Sequence, residues 1–86
     1  MPERLRYESQ LSLAAAAFVV SLSRRQQRLI LDLADQISKA PSQGGDYRTA
    51  DATGRAIENL LLEGYLFSYW VDDSAREVRI TEIIRI

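Results

Sequence analysis

With 86 residues, 47% of them hydrophobic and 27% charged, the chain has room for one compact domain spanning 1–86, and its composition favours neither disorder nor a membrane protein. It contains no cysteine and no histidine, which excludes disulfides, thiolate metal sites and cysteine nucleophiles, and removes the commonest metal ligand and general base. Eleven basic against twelve acidic residues leave a formal net charge of −1, so a global attraction to nucleic acid is not indicated.

No metal and no cofactor is expected. The longest apolar run, Leu13 to Val20, is too short to cross a bilayer, and no cleavage site follows it, so a cytoplasmic protein is expected.

In chain order, Arg4 to Glu8 (RLRYE) alternates Leu5 with charged neighbours and predicts a short edge strand. Ser9 or Ser12 can cap an alanine-rich helix running to about Val20, with Leu11, Ala14, Phe18 and Leu22 approximating one face. Ser23 and Gln26 have the spacing of a capping box, and a second helix follows. Its Leu29, Ile30, Leu33, Ala34 and Ile37 fall on one side, and Arg28 with Asp32 makes a weak i,i+4 pair. The two helices predict an antiparallel hairpin, ended by Pro41. SQGGDYR reads as loop, with Gly44 and Gly45 as a flexible turn rather than a phosphate cradle.

Arg55 to Leu62 reads as a strand despite residues of poor β-propensity, with a hairpin turn near Glu63 and Gly64. The next strand puts Tyr65, Phe67 and Tyr69 on one side and Leu66, Ser68 and Trp70 on the other. After a polar turn at Asp72 to Ala75, the last strand sets Val78, Ile80, Ile84 and Ile86 against Glu77, Arg79, Thr81 and Arg85, with Glu82 breaking the pattern. The expected class is α+β: an N-terminal strand, a two-helix hairpin, then a three-strand antiparallel run forming one small sheet covered by the helices.

Ten of the eleven basic residues are arginine, the side chain suited to bidentate contacts with phosphate or carboxylate. Arg48, Arg55, Arg79 and Arg85 are the candidates for an anion- or partner-binding site. They either converge to form one or pair with Asp46, Asp51, Glu58 and Glu77 as structural ion pairs. Tyr69 and Trp70 either stack on a base or pack in the core. Tyr65 is a candidate proton donor only with a positive charge beside it, which Arg79 supplies if the two share a face.

The order of elements and several local patterns resemble the RelE/ParE toxin superfamily of bacterial type II toxin–antitoxin modules. The resemblance is carried by RLRYE, the helical break at SLSRRQQ, the APSQGGDYR exit and GYLFSYWVDDSAREVRITEIIRI, with Gly64, Tyr65, Tyr69, Asp72, Asp73, Val78, Ile80 and Ile83 at the family's positions. It implies a cognate antitoxin as partner and a concave sheet face that either cleaves mRNA on the ribosome or, in the ParE branch, blocks gyrase. A homodimer is a further possibility when no antitoxin is present. For the cleaving activity the candidates are Arg79, Arg85 and Tyr65. The family's paired basic positions fall near Ile57 and Asn59, and the arginine that follows its tyrosine is Leu66 here, which favours action by binding over the ribonuclease.

Overall fold

The computed structural model describes residues 6–86. In chain order these form β1 (Glu8–Leu11), α1 (Leu13–Val20), α2 (Arg24–Lys39), β2 (Tyr47–Ala50), β3 (Ala56–Leu62), β4 (Tyr65–Asp72) and β5 (Glu77–Arg85). The strands make one sheet in the order β1-β5-β4-β3-β2, with β1 parallel to β5 and every other pair antiparallel. The α+β class holds, but the antiparallel run has four strands, not three. Arg4 and Leu5 of the expected first strand lie outside the described residues, and β1 begins only at Glu8.

The additional strand, β2, lies in the stretch expected to be loop. All four of its residues are exposed, because it is the outer strand of the sheet, and an edge with no buried side leaves no alternation to read. Gly45, just before it, is no flexible turn residue. A Cβ there would lie 2.5 Å from the Asn59 carbonyl oxygen and 2.6 Å from its nitrogen. This close approach lets the Gly45 N–H reach Glu58 Oε1 at 2.9 Å and the Asp46 N–H reach the Asn59 carbonyl at 2.7 Å.

Serines start both helices. Ser12, not Ser9, caps α1: its hydroxyl oxygen accepts the Ala15 N–H at 3.0 Å while the hydroxyl donates to the Thr81 carbonyl at 2.7 Å, fastening the helix start to β5. Ser23 accepts the Gln26 N–H at the start of α2. Between the helices, the Gln27 side-chain amide donates to the carbonyls of Val19 and Leu22 at 3.1 and 3.2 Å, satisfying groups that a helix end leaves without partners.

Both helices pack on one face of the sheet. Ala15 and Val19 from α1, and Ile30, Leu33, Ala34 and Ile37 from α2, close over Tyr65, Phe67, Tyr69, Val78, Ile80 and Ile83. The α2 face is the expected one, except that Leu29 points outward. Of the face expected for α1, Leu11, Phe18 and Leu22 pack against the core, but Ala15 is buried in place of Ala14, which is exposed. Among the described residues the ion pair on α2 is Lys39–Asp35 at 3.1 Å rather than Arg28–Asp32. Burial of Phe67 and of Ile80 each contributes roughly 1.5–3 kcal/mol.

The β3–β4 turn has the expected chemistry, with Glu63 at φ 52° and Gly64 at φ 84°, the paired positive values that a two-residue hairpin needs. At the β4–β5 turn Asp72 Oδ1 accepts the Ala75 N–H at 3.2 Å. Further along, Tyr69 pairs with Ile80 but Ser68 with Glu82, which leaves Thr81 as an extra residue in β5. This bulge changes the phase of the strand. Ile83 is 2% exposed and in the core, whereas Ile84 and Ile86, expected inside, are 41% and 70% exposed.

Gly45→Ala is expected to lower stability by about 1–3 kcal/mol, because backbone atoms of Asn59 occupy the space its methyl group needs. At Gly54, where nothing lies within 4 Å of a Cβ and only the positive φ opposes substitution, the same change costs about 1–2 kcal/mol. Urea denaturation of the two variants measures both, and Gly45→Ala is expected to be the more damaging.

Candidate functional site

Among the described residues, none forms a layer over the face of the sheet turned away from the helices, and strand register orders its side chains in rows. One end carries Glu8, Glu77 and Asp72 on the adjacent strands β1, β5 and β4. The next row is Gln10, Arg79 and Trp70. Beyond the bulge come Glu82, Ser68, Asn59 and Tyr47, and then Ile84, Leu66 and Leu61. The surface therefore passes from acidic, through aromatic and polar, to aliphatic.

Trp70 is its focus. The Arg55 guanidinium lies 3.9 Å from the indole ring centroid and that of Arg79 5.7 Å away, contacts worth about 0.5–1 kcal/mol each at exposed sites. Both arginines are also held by carboxylates. Arg79 reaches Glu77 at 2.7 Å and Asp72 at 3.4 Å, and Arg55 lies 3.8 Å from Asp51. A cleft of about 270 Å³ beside the indole is lined by Gln10, Leu11, Ser12, Trp70, Arg79, Ile80 and Thr81.

Asp51 organises the loop that presents Arg55. One of its oxygens accepts the Thr53 N–H at 2.9 Å, the Thr53 hydroxyl at 2.7 Å and the Arg55 N–H at 3.0 Å. These bonds, the Thr53 hydroxyl first, favour the ionised form and hold the carboxyl below its ordinary value. In the polar row, buried Asn59 donates to Thr49 Oγ1 at 3.1 Å and accepts from the Ser68 hydroxyl at 2.8 Å, and the Thr81 hydroxyl donates to the Ser68 carbonyl at 3.1 Å.

Of the four candidate arginines, the fold brings Arg55 and Arg79 together on Trp70 and leaves the other two apart. Arg48 pairs with Glu58 at 2.8 Å on the opposite side of the sheet. Arg85, turned by the bulge, donates to the Tyr65 hydroxyl at 3.0 Å. Tyr65 is buried against Phe18 with ring centroids 6.1 Å apart. It therefore shares its face with Arg85 and not with Arg79, and its hydroxyl lies on the helix-covered side. Tyr69 is also in the core, where burial, then the charges of Glu58 and Asp46, raise its phenol above the ordinary value. The expected alternative of structural pairing is realised with Glu58, Asp51 and Glu77, whereas Asp46 instead accepts the Leu61 N–H at 2.8 Å.

Sequence reading missed the Asn59 network and the stacking of Arg55 on Trp70. The one signal was Asn59 itself, a polar residue of poor β-propensity within a strand of leucines.

This architecture is a RelE-like toxin fold. A chain from the crystal structure of the RelBE2 toxin–antitoxin complex of Mycobacterium tuberculosis is similar with a TM-score of 0.77 and 17% identity, over 94% of this chain and 99% of that one. For the RelE–RelB complex of Pyrococcus horikoshii the values are 0.68 and 14%, over 93% and 94%. The isolated Escherichia coli RelE toxin gives 0.67 and 14%, over 92% and 83%. No protein-family model matches the sequence, and no curated protein matches it. At these identities the likeness establishes the fold, and function has to be argued from the surface.

Because the Asp51 carboxyl is held below its ordinary value of 3.8, it adds stability that is fully present above that pH and is lost as pH falls through the depressed value. Thermal unfolding followed from pH 6 down to pH 2 is expected to show a smaller acid-induced loss for Asp51→Asn than for the parent chain.

Proposed function

We propose that this chain is a RelE-like toxin component of a type II toxin–antitoxin module, acting by binding, with a cognate antitoxin as its principal partner and gyrase or the ribosome as its target class. The observation that carries this reading is the engagement of Arg48, Arg55 and Arg79 by carboxylates and of Arg85 by a buried tyrosine. A ribonuclease needs such groups free to stabilise a developing charge at a phosphate. Here each ion pair would first have to be broken, and the Tyr65 hydroxyl lies on the opposite face from Arg79.

The outer side of α1 supports a protein partner. Leu13 is 88% and Val20 76% exposed, with Ala14 and Ala17 exposed between them. This uncharged strip is the surface we assign to the antitoxin, since exposed apolar patches mark interaction sites. Self-association through it is the alternative when no antitoxin is present. Arg55, Arg79 and Trp70 are assigned to contacts with the target.

Induced expression in a bacterial host, with pulse-labelling of DNA and protein synthesis, tests the proposal. Growth arrest without mRNA cleavage is expected, with early loss of DNA synthesis if gyrase is the target. Early collapse of protein synthesis with cleaved mRNA, abolished by Arg79→Ala or Arg85→Ala, would establish the ribonuclease instead. Unimpaired growth with soluble, folded protein would make the chain a non-toxic interaction module.

A further inference from the structure

We propose that the helix-free face of the sheet docks a basic, amphipathic protein segment, with cationic side chains at the Glu8–Glu77–Asp72 end and aliphatic side chains on Leu61, Leu66 and Ile84. This deepens the function proposed above by naming the chemistry of the target-binding face, and it relies on that reading only for the biological role of the contact.

Among the described residues, Glu8, Glu77, Asp72 and Glu82 project on this face against two guanidiniums, those of Arg79 and Arg55, and Arg55 already lies beside Asp51. A phosphate backbone meets net negative charge here, the opposite of what nucleic-acid binding requires. A cation meets the complementary potential, which is what steers association and selects partners.

Glu8, Glu77 and Asp72 lie opposite one another on three adjacent strands, and like charges directly opposite destabilise a sheet. Arg79 reaches two of them, Asp72 and Glu77. A basic side chain docked on this row relieves the remaining repulsion. Charge repulsion left in the free fold and removed in the complex is differential stabilisation of the bound state.

The other end of the face supplies the apolar half. Leu61 pairs with Leu66 and Leu66 with Ile84, so three aliphatic side chains form one row across β3, β4 and β5, and Leu61 is 50% exposed. From Glu77 to Ile84 there are six strand steps once the bulge is discounted, or about 20 Å. A helix of about 13 residues spans that length, enough to set arginines or lysines at one end and leucines at the other. Between the two ends the segment meets Trp70 with the Arg55 guanidinium already stacked on its ring, so the aliphatic stems of Arg55 and Arg79 form part of the surface there.

The test uses the full chain and fluorescence anisotropy with three labelled probes. The first is an 18-residue helical peptide with four arginines toward one end and four leucines toward the other on the same face. The second is the same peptide with glutamates in place of the arginines, and the third is a single-stranded RNA of similar length. The basic peptide is expected to bind at least about tenfold more tightly than either other probe, and less tightly as salt rises.

The double variant Glu8→Gln, Glu82→Gln alters two exposed positions and leaves the core untouched, and it is expected to weaken the basic peptide about tenfold. Leu61→Ser tests the aliphatic end independently, with an expected loss of about threefold. RNA or the acidic peptide binding as tightly as the basic one, or unchanged binding to both variants, overturns the proposal. Growth is not measured, so a chain without toxicity can still satisfy this test, and a toxic chain can still fail it.

Discussion

The extra residue at Thr81 determines what each face of this protein can do. It lets β5 change phase between Ile80 and Glu82 while keeping its hydrogen-bonded partner β4. Before the bulge, Val78 and Ile80 enter the core and Arg79 faces outward. After it, Ile83 enters the core, Ile84 joins the outer aliphatic row, and Arg85 turns inward to Tyr65. The same residue also anchors the start of α1, because its carbonyl accepts the hydroxyl of Ser12, the residue that caps that helix. Core packing, helix placement and the distribution of arginines between the faces thus meet at one irregularity in one strand.

That distribution separates this surface from a phosphate-binding one. An arginine that recognises phosphate must offer a free guanidinium fork, but Arg79 is divided between Asp72, Glu77 and the Trp70 ring. Arg55 is stacked on the same indole and fixed by a loop that Asp51 closes. Such pairs hold side chains in register at the surface more than they add stability, since exposed ion pairs are worth about 0–1 kcal/mol. With Trp70 they form an aromatic platform bordered by carboxylates on a RelE-like scaffold, and a fold leaves open which chemistry its surface carries.

Much of this was legible in the sequence where local physics decides. The cap at Ser23, a serine cap for α1 at Ser9 or Ser12, the inward face of α2, the strand at Ala56–Leu62 and the turn at Glu63 and Gly64 follow from hydrogen-bonding side chains, helical spacing and backbone freedom. The alternation of Tyr65, Phe67 and Tyr69 against Leu66, Ser68 and Trp70 also holds, because β4 is flanked on both sides and buries one face. What was hidden depends on contacts distant in sequence. β2 has no inner side. In α1, apolar on all sides, spacing cannot distinguish Ala15 from Ala14. The break at Glu82 was visible, but strict alternation carried past it put Ile84 inside and Arg85 outside. For the candidate site, the pairing of Arg55, Arg79 and Arg48 with acidic residues was among the alternatives, whereas the meeting of two arginines on Trp70 required the tertiary fold.

The most direct test of the bulge compares Ile83→Ala with Ile84→Ala by urea denaturation. With Thr81 shifting the phase, Ile83→Ala removes a core side chain and is predicted to lower stability by about 2–5 kcal/mol, while Ile84→Ala, on the outer face, is predicted to lower it by less than about 1 kcal/mol. The reverse ranking would mean that β5 alternates without interruption, placing Arg85 outward with Arg79 and contradicting the assignment of the two faces.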